Sequence, residues 1–280
     1  METLRPLLTT YAYNILGSYD DAKDIVQDSF LKFIEIDSTA IEQPEAYLKR
    51  MVINMAINQK KRLNKLVRDY PGEWLPEPIA DESADHSINR KEVLSYSMMV
   101  LMEKLNPKQR AVFILKEALD YDHSEIADLI EISEESSRQL LSRAKRQLQN
   151  QTNKSPFNST PDFLKRYIDI LQNADTGKLK TLMMEEITVI SDGGGKVSAS
   201  INPIKGIEHS FAFLSGIFRK FYWDLPYKIA IINHQPTLLY YQDGALISCN
   251  IFSIDNGLIK NVFIIRNPDK LKNLENLVTF

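Results

Sequence analysis

The sequence predicts a multidomain chain in which two all-α modules precede a C-terminal α+β cone. Three observations carry this. From residue 4 to about 148, apolar residues recur at helical spacing between caps and turns. Between Tyr70 and Asn89 that period is interrupted by PGEWLPEPIADESADHS, rich in Pro and acids. Beyond a polar boundary at 150–160 the pattern changes to helices followed by β segments, with Asp243-Gly244 and Asn256-Gly257 as hairpin turns.

Composition sets the outer limits. Of the 280 residues, 44% are apolar and 25% charged, as in an ordinary folded protein, and the net charge of -3 argues against a wholly basic nucleic-acid binder. The single cysteine, Cys249, excludes an internal disulfide and a Cys-cluster zinc site and reads as a small buried hydrophobe. No apolar run approaches a membrane span of ~18 residues, and no signal-peptide pattern opens the chain, so no membrane partner and a cytoplasmic location are expected.

Residues 4–36 read as two helices separated at Gly17-Ser18, the second capped by Asp20 or Asp21. In the second, Ala22, Ile25, Val26, Phe30, Phe33 and Ile34 are expected to face the core, and Asp24, Gln27, Asp28 and Lys32 to face out. Pro44-Glu45 opens a third helix with Tyr47, Leu48, Met51, Val52, Met55 and Ala56 on its apolar side. From Lys49 to Arg68 it carries Lys49, Arg50, Lys60, Lys61, Arg62, Lys65 and Arg68 without an acid, a candidate track for phosphates. Asn54 and Asn58, one turn apart, could bond bases or backbone.

In the connector, Trp74-Leu75-Pro76-Glu77-Pro78 reads as a docking segment, because a Trp normally buries its large surface or finds a partner. Helix is expected to resume around Ile88 with RKEVLSYSMMVLMEKL. Asn106 to Gln109 is a capping box with Pro107 in the first turn, and Asp122 to Glu125 is a second one. A short helix, the turn Glu131-Ile132-Ser133 and a helix crowded with Arg138, Arg143, Lys145 and Arg146 then form a helix-turn-helix. Glu131 stands where such turns often carry Gly.

In the last third, Pro161-Asp162 caps a helix, Thr176 to Met184 forms a shorter one, and ITVIS reads as a strand. Asp192-Gly193-Gly194-Gly195-Lys196 turns the chain into VSASINPI; a helix with Phe211, Leu214 and Phe218 follows, then KIAIIN, TLLYY, ALISCNIFSI and LIKNVFIIR as a curved antiparallel sheet. The glycine run lacks P-loop spacing; its glycines would permit close backbone approach, with the WLPEP linker as the expected neighbour. His209, His234 and Asp243 share no spacing that suggests acid–base chemistry, so no catalytic residue, cofactor or metal is expected.

Two blocks carry a family resemblance. GSYDDAKDIVQDSFLKF with PEAYLKRMVINMAINQKKR resembles region 2 of the extracytoplasmic-function (ECF) sigma factors, and residues 105–148 resemble their region 4. The resemblance implies bacterial core RNA polymerase and promoter DNA as partners. It places Asp24, Gln27, Asp28 and Phe30 on the polymerase. It assigns Tyr47, Lys49, Arg50, Asn54, Asn58, Lys60, Lys61 and Arg62 to the −10 element, with Tyr47 alternatively in the core. Arg138, Gln139, Arg143, Lys145 and Arg146 would read the −35 element. Asn58, where relatives often carry Asp, and Ser137, where they often carry Val, bear on promoter sequence.

WLPEP, DGGGK and Asn267-Pro268-Asp269-Lys270-Leu271 together resemble the ECF group with a fused SnoaL-like (nuclear-transport-factor-2-like) extension, which implies an interdomain regulatory contact among Trp74 to Pro78, Asp192 to Lys196 and Asn267 to Lys270. Cones of this fold commonly hold an apolar pocket, so a small apolar ligand is a candidate partner. The implied organisation is sigma region 2 over 1–70, the linker over 71–88, region 4 over 89–150 and a SnoaL-like regulatory domain over 158–280. Two alternatives are a ligand-sensing helix-turn-helix regulator that acts without polymerase, and a SnoaL-type enzyme fused to a DNA-binding region.

Overall fold

The computed structural model describes residues 2–36, 41–81, 88–148, 161–173 and 176–277. Residues 82–87 of the connector and the boundary at 150–160 lie outside them. The chain divides into two units. The first comprises Met1–Asp69, Ala84–Leu94 and Met98–Thr152; the second comprises Tyr70–Ser83, Ser95–Ser97 and Asn153–Phe280. Most of the connector therefore belongs to the C-terminal unit.

In the first unit, α1 (Arg5–Leu16) ends at Gly17, whose φ of 76° supplies the left-handed turn that glycine adopts without strain. Helix α2 (Tyr19–Glu35) is capped by Ser18, whose hydroxyl accepts from the Asp21 amide at 3.3 Å. The expected caps Asp20 and Asp21 sit instead in the first turn, at the positive end of the helix dipole. Helix α3 (Pro44–Leu66) packs Leu48, Val52, Ile53 and Ala56 against Leu8, Ala12 and Ile15 of α1 and Ala22, Val26 and Phe33 of α2. Ile34 does not join this core: it is 74% exposed.

The run expected to form one helix after Ile88 is broken. A single turn, Arg90–Glu92, is followed by extended Val93, then α4 (Tyr96–Leu101) and a turn at Met102–Lys104. Buried Asn14 supplies the reason: its amide donates to the Glu92 carbonyl at 2.8 Å and accepts from the Leu94 amide at 3.2 Å, occupying groups that a helix would use internally. Helix α5 (Pro107–Phe113) starts with the predicted capping box. It runs into a wider turn at Ile114–Ala118, closed by the Leu119 amide on the Ile114 carbonyl, before α6 (His123–Ile130) and α7 (Glu134–Leu148).

In the second unit, α8 (Pro161–Gln172) and α9 (Thr176–Thr181) lead into β1 (Met183–Asp192); α9 ends and β1 begins earlier than expected. Of VSASINPI only Ile204 pairs as a strand, together with the following Lys205 (β2, Ile204–Lys205). Helix α10 (Ile207–Ile217) precedes β3 (Tyr227–Ile232), β4 (Gln235–Gln242), β5 (Ala245–Asp255) and β6 (Leu258–Ile265), and α11 (Pro268–Leu271) follows. The strand order is β2-β1-β6-β5-β4-β3.

The sheet is mixed rather than wholly antiparallel. The β3–β6 meander returns its last strand beside β1 in the same direction, pairing Val189 with Val262 and Ser191 with Ile264. Helices α8 and α10 cover one face with Leu164, Tyr167, Ile168 and Leu214 over Ile187, Leu238, Tyr240, Phe252 and Val262. On the other face Leu239, Cys249, Ile251, Phe263 and Ile265 are also buried, and Tyr96 packs on Phe263 with ring centroids 5.4 Å apart. Burial on both faces explains the continuous apolar runs.

Both predicted Gly-containing turns are present, with Asp243/Gly244 at φ 51°/81° and Asn256/Gly257 at 50°/79°. A third hairpin turn, Asn233-His234 at φ 44° and 61°, joins β3 to β4 without a glycine. Glu131 likewise adopts φ 54°, ψ 60° at the end of α6, so this turn tolerates a left-handed non-glycine residue. Relief of that strain, ~1–2 kcal/mol, is partly offset by the greater freedom of an unfolded glycine. Glu131→Gly is therefore expected to raise stability by up to about 1 kcal/mol. Urea unfolding followed by helical circular dichroism checks this; a less stable variant would contradict it.

Candidate nucleic-acid and polymerase interface

Ser133 caps α7 by accepting from the Ser136 amide at 3.1 Å, and Ser137, Leu141, Ala144 and Leu148 bury the inner side of that helix. The same periodicity leaves Arg138, Gln139, Arg143, Lys145 and Arg146 exposed, as the sequence predicted. Arg138 pairs with Glu134 at 2.6 Å and Lys145 with Glu117 at 2.7 Å; both are surface pairs, weak enough to exchange for a phosphate. A concavity of about 410 Å³ is lined by His123, Arg138, Leu141, Ser142, Lys145 and Arg146.

Sequence reasoning missed His123 and Ser142 as members of this surface. Ser142 was legible, one turn from both Arg138 and Arg146 on the same helix face. His123 comes from α6 and needed the fold. Its Nδ1 lies 2.8 Å from the Ser137 hydroxyl. Burial, together with Arg138 and Lys116, pushes its pKa below the ordinary histidine value, which keeps the ring neutral at pH 7.

On α3 the predicted set divides. Arg50, Asn58, Lys61 and Arg62 are exposed, and Lys49 is half-buried; the Arg68 side chain lies outside the described residues. Tyr47 is half-buried with its ring 6.1 Å from that of Phe33, joining the edge of the core. Asn54 donates its amide to the Leu129 carbonyl of α6 at 2.8 Å. Lys60 is the clear departure from an expected phosphate contact. It is buried, donating to the Leu16 carbonyl at 2.8 Å and pairing with Glu103 at 2.7 Å. A helix with cations on every side must turn some inward when another element packs on it, and α3 packs on α5 and α6.

On α2, Asp24, Gln27 and Asp28 form the exposed polar face that the pattern predicts. Phe30 does not belong to it: only 7% exposed, it lies beneath the Arg5 guanidinium at 4.5 Å. The apolar residues beside the acids are instead Leu31, 54% exposed, and Ile34. Leu31 escaped notice because the helical period alone does not set how far a neighbouring helix reaches.

In the C-terminal unit the three motifs WLPEP, DGGGK and NPDKL meet on one carboxylate. Buried Asp192, at the end of β1, accepts from the Tyr70 hydroxyl at 2.6 Å and the Leu75 amide at 2.9 Å. It also accepts from the Gly194 amide at 2.9 Å and from Lys270 Nζ at 2.6 Å. Lys270 donates in addition to the Leu75 carbonyl and lies 4.2 Å from the centre of the Trp74 ring. A side chain on Gly194 would overlap the Asn267 amide, and one on Gly195 would come within 2.6 Å of Pro71, so these glycines admit the approach. Lys196 pairs with Asp269; that hydrogen bond is the main reason the Asp269 carboxyl titrates below its ordinary range.

Further along, the Tyr96 hydroxyl donates to the Pro76 carbonyl at 2.6 Å, the Ile79 amide to the Asn233 side chain at 2.8 Å, and Asp81 pairs with His234 at 2.8 Å. Pro78 is buried and Glu77 half-buried, while Pro268 is exposed. His234 and Asp243 occupy turns at opposite ends of eight-residue β4, roughly 30 Å apart at ~3.3 Å per residue.

Comparison with known proteins gives the same partition. The family Sigma-70 region 2 matches residues 1–66, and Sigma-70, region 4 matches residues 96–148. The ECF RNA polymerase sigma factor SigJ of Mycobacterium tuberculosis is 27% identical, over 79% of this chain and 72% of its own length. The probable ECF sigma factor SigI of the same organism is 22% identical over 95% of this chain and 92% of its own. The crystal structure of SigJ superposes with a TM-score of 0.78 at 24% identity, covering 97% of each chain, which extends the shared fold through the C-terminal sheet. With both sigma-70 regions present in order, the protein belongs to the extracytoplasmic-function sigma factors, which bind core RNA polymerase and direct it to promoter DNA.

Proposed function

We propose that residues 1–70 engage polymerase and the −10 element, that residues 89–150 read the −35 element, and that residues 158–280 regulate both through the linker. The observation that carries the regulatory part is the Asp192 carboxylate, which bonds Tyr70 and Leu75 of the linker and Lys270 near the chain end. Most of the described part of the linker between the two DNA-reading modules thus packs within the C-terminal unit. The work is recognition rather than catalysis, carried out in the cytoplasm where polymerase and promoter meet.

Polymerase binding is assigned to Asp24, Gln27 and Asp28 with Leu31 and Ile34, a polar face continued by an exposed apolar one. Fully covering a leucine and an isoleucine is worth on the order of 1.5–3 kcal/mol each. Leu31→Ser with Ile34→Ser should weaken core polymerase binding at least tenfold while the fold survives; Phe30→Ala should instead lower stability. Loss of stability in the serine variant with unchanged polymerase affinity would remove this face from the interface.

The −35 assignment rests on the exposed cations of α7. Binding to a promoter duplex should weaken steeply with salt, and Arg143→Ala with Arg146→Ala should flatten the log–log slope by roughly 0.9 for each phosphate left unneutralised. An unchanged slope would place these arginines elsewhere.

Run-off transcription tests the regulatory part. Asp192→Asn in the full chain removes the charge that pairs with Lys270 and should change promoter-dependent initiation severalfold, leaving −35 duplex affinity intact. Unchanged initiation would leave the C-terminal unit without a regulatory role.

A further inference from the structure

Within the first unit, one half-buried carboxylate is shared by two buried cations. Glu103, in the turn after α4, receives Lys60 Nζ at 2.7 and 3.0 Å and the Arg110 guanidinium. The Lys60 side chain is 3% exposed and that of Arg110 fully buried. Each cation also reaches back to α1. Lys60 donates to the Leu16 carbonyl at 2.8 Å, and Arg110 Nε to the Asn14 carbonyl at 2.9 Å. Lys60 lies on α3, in the region 2 block; Glu103 and Arg110 lie in the region 4 block. Burial alone would raise the Glu103 pKa, yet Arg110 and Lys60 outweigh it and hold the carboxyl below its ordinary value, so it is ionised at neutral pH.

The same packing occupies a residue assigned to promoter DNA. Asn54, one face of α3 away from Lys60, has its amide on the Leu129 carbonyl of α6 at 2.8 Å. Helix α3 therefore rests on the helix-turn-helix. The −10 and −35 elements are, by their names, about 25 base pairs apart, on the order of 80 Å of duplex at ~3.4 Å per base pair. Modules in direct contact cannot read both at once.

We infer that the Lys60–Glu103–Arg110 cluster is an ionic latch that holds the two DNA-reading modules together in the free protein and must open when promoter-bound holoenzyme forms. The inference rests on the sigma-factor reading of α3 and α7. Glu103 acts as a positioning residue. Its charge makes the closed arrangement tolerable, since two buried cations side by side repel unless a carboxylate lies between them. Opening exposes Lys60 to solvent at the end of its long stem and frees Asn54 for DNA. The latch lies entirely outside the C-terminal unit, so it restrains the modules independently of the linker.

The test is the distance between spin labels at Glu45→Cys and Ser124→Cys in the full chain, measured by double electron–electron resonance; native Cys249 is buried and stays unlabelled. The free protein should show one short distance that lengthens on binding core polymerase and promoter. In Glu103→Gln the longer distance should dominate without polymerase. Its apparent affinity for core polymerase should rise about tenfold, as expected if nine in ten free molecules are closed. A short distance and unchanged affinity in a folded Glu103→Gln would overturn the latch. Should that variant not fold, the unsubstituted chain decides: a distance that stays short in the holoenzyme refutes the proposal. Failure of core polymerase to bind any form would instead count against the sigma reading, with the latch still judged from the free Glu103→Gln distance.

Discussion

A carboxylate removed from water must collect its hydrogen bonds from the protein, and the placement of Asp192 shows what that requirement can organise. Its neighbours come from sequence positions as distant as Tyr70 and Lys270, and each satisfies an obligation of its own. The linker backbone at Leu75 finds an acceptor, Lys270 finds a counterion, and Tyr70 finds a partner that burial makes necessary; burial and Asp192 together push its phenol above the ordinary range. Because an unpaired buried charge costs several kcal/mol, no member of the set can leave alone. The linker is thereby bound as a unit rather than residue by residue.

Two charge clusters, one within each unit, now bear on the same modules. Asp192 fixes the segment that joins them, while Glu103 joins them directly. Both centre on one carboxylate serving more than one donor, and both use a lysine whose head is drawn inward while its stem packs. That arrangement favours conformational control over raw stability. A buried ionic cluster adds little compared with well-packed apolar residues of similar volume, yet it disfavours partly broken intermediates strongly.

Much of this was readable in the sequence. Caps, breakers and the helical period located α1 to α3 and α5 to α7, because each signal is local and the helices obey it. The motifs WLPEP, DGGGK and NPDK were recognisable as a set, and their glycines as sites of close approach. What escaped notice was set by long-range contact. Asn14 breaks the helix after Ile88 from a position some eighty residues earlier, and no local rule anticipates that. Lys60 looks like its exposed neighbours in charge and spacing; only the arrival of Glu103 and α5 distinguishes it. Phe30 keeps the core-facing place that the helical period gave it, beneath Arg5, whereas Ile34, expected beside it, is left bare. The hairpin at Asn233-His234 lacks the glycine that marked the other two.

The parallel pairing of β1 with β6 has a consequence for the order in which the protein is made. The strand that completes the sheet and the lysine that completes the linker's seat are both encoded late, at 258–265 and 270. The linker itself leaves the ribosome nearly two hundred residues earlier. At ~5–20 residues per second, the interval between the end of α7 and Lys270 is on the order of 10 s. Throughout that interval a nascent chain carries both promoter-reading modules without the seat for its linker. Restraint in this window must come from contacts among the first 148 residues alone, which is where the Glu103 cluster lies.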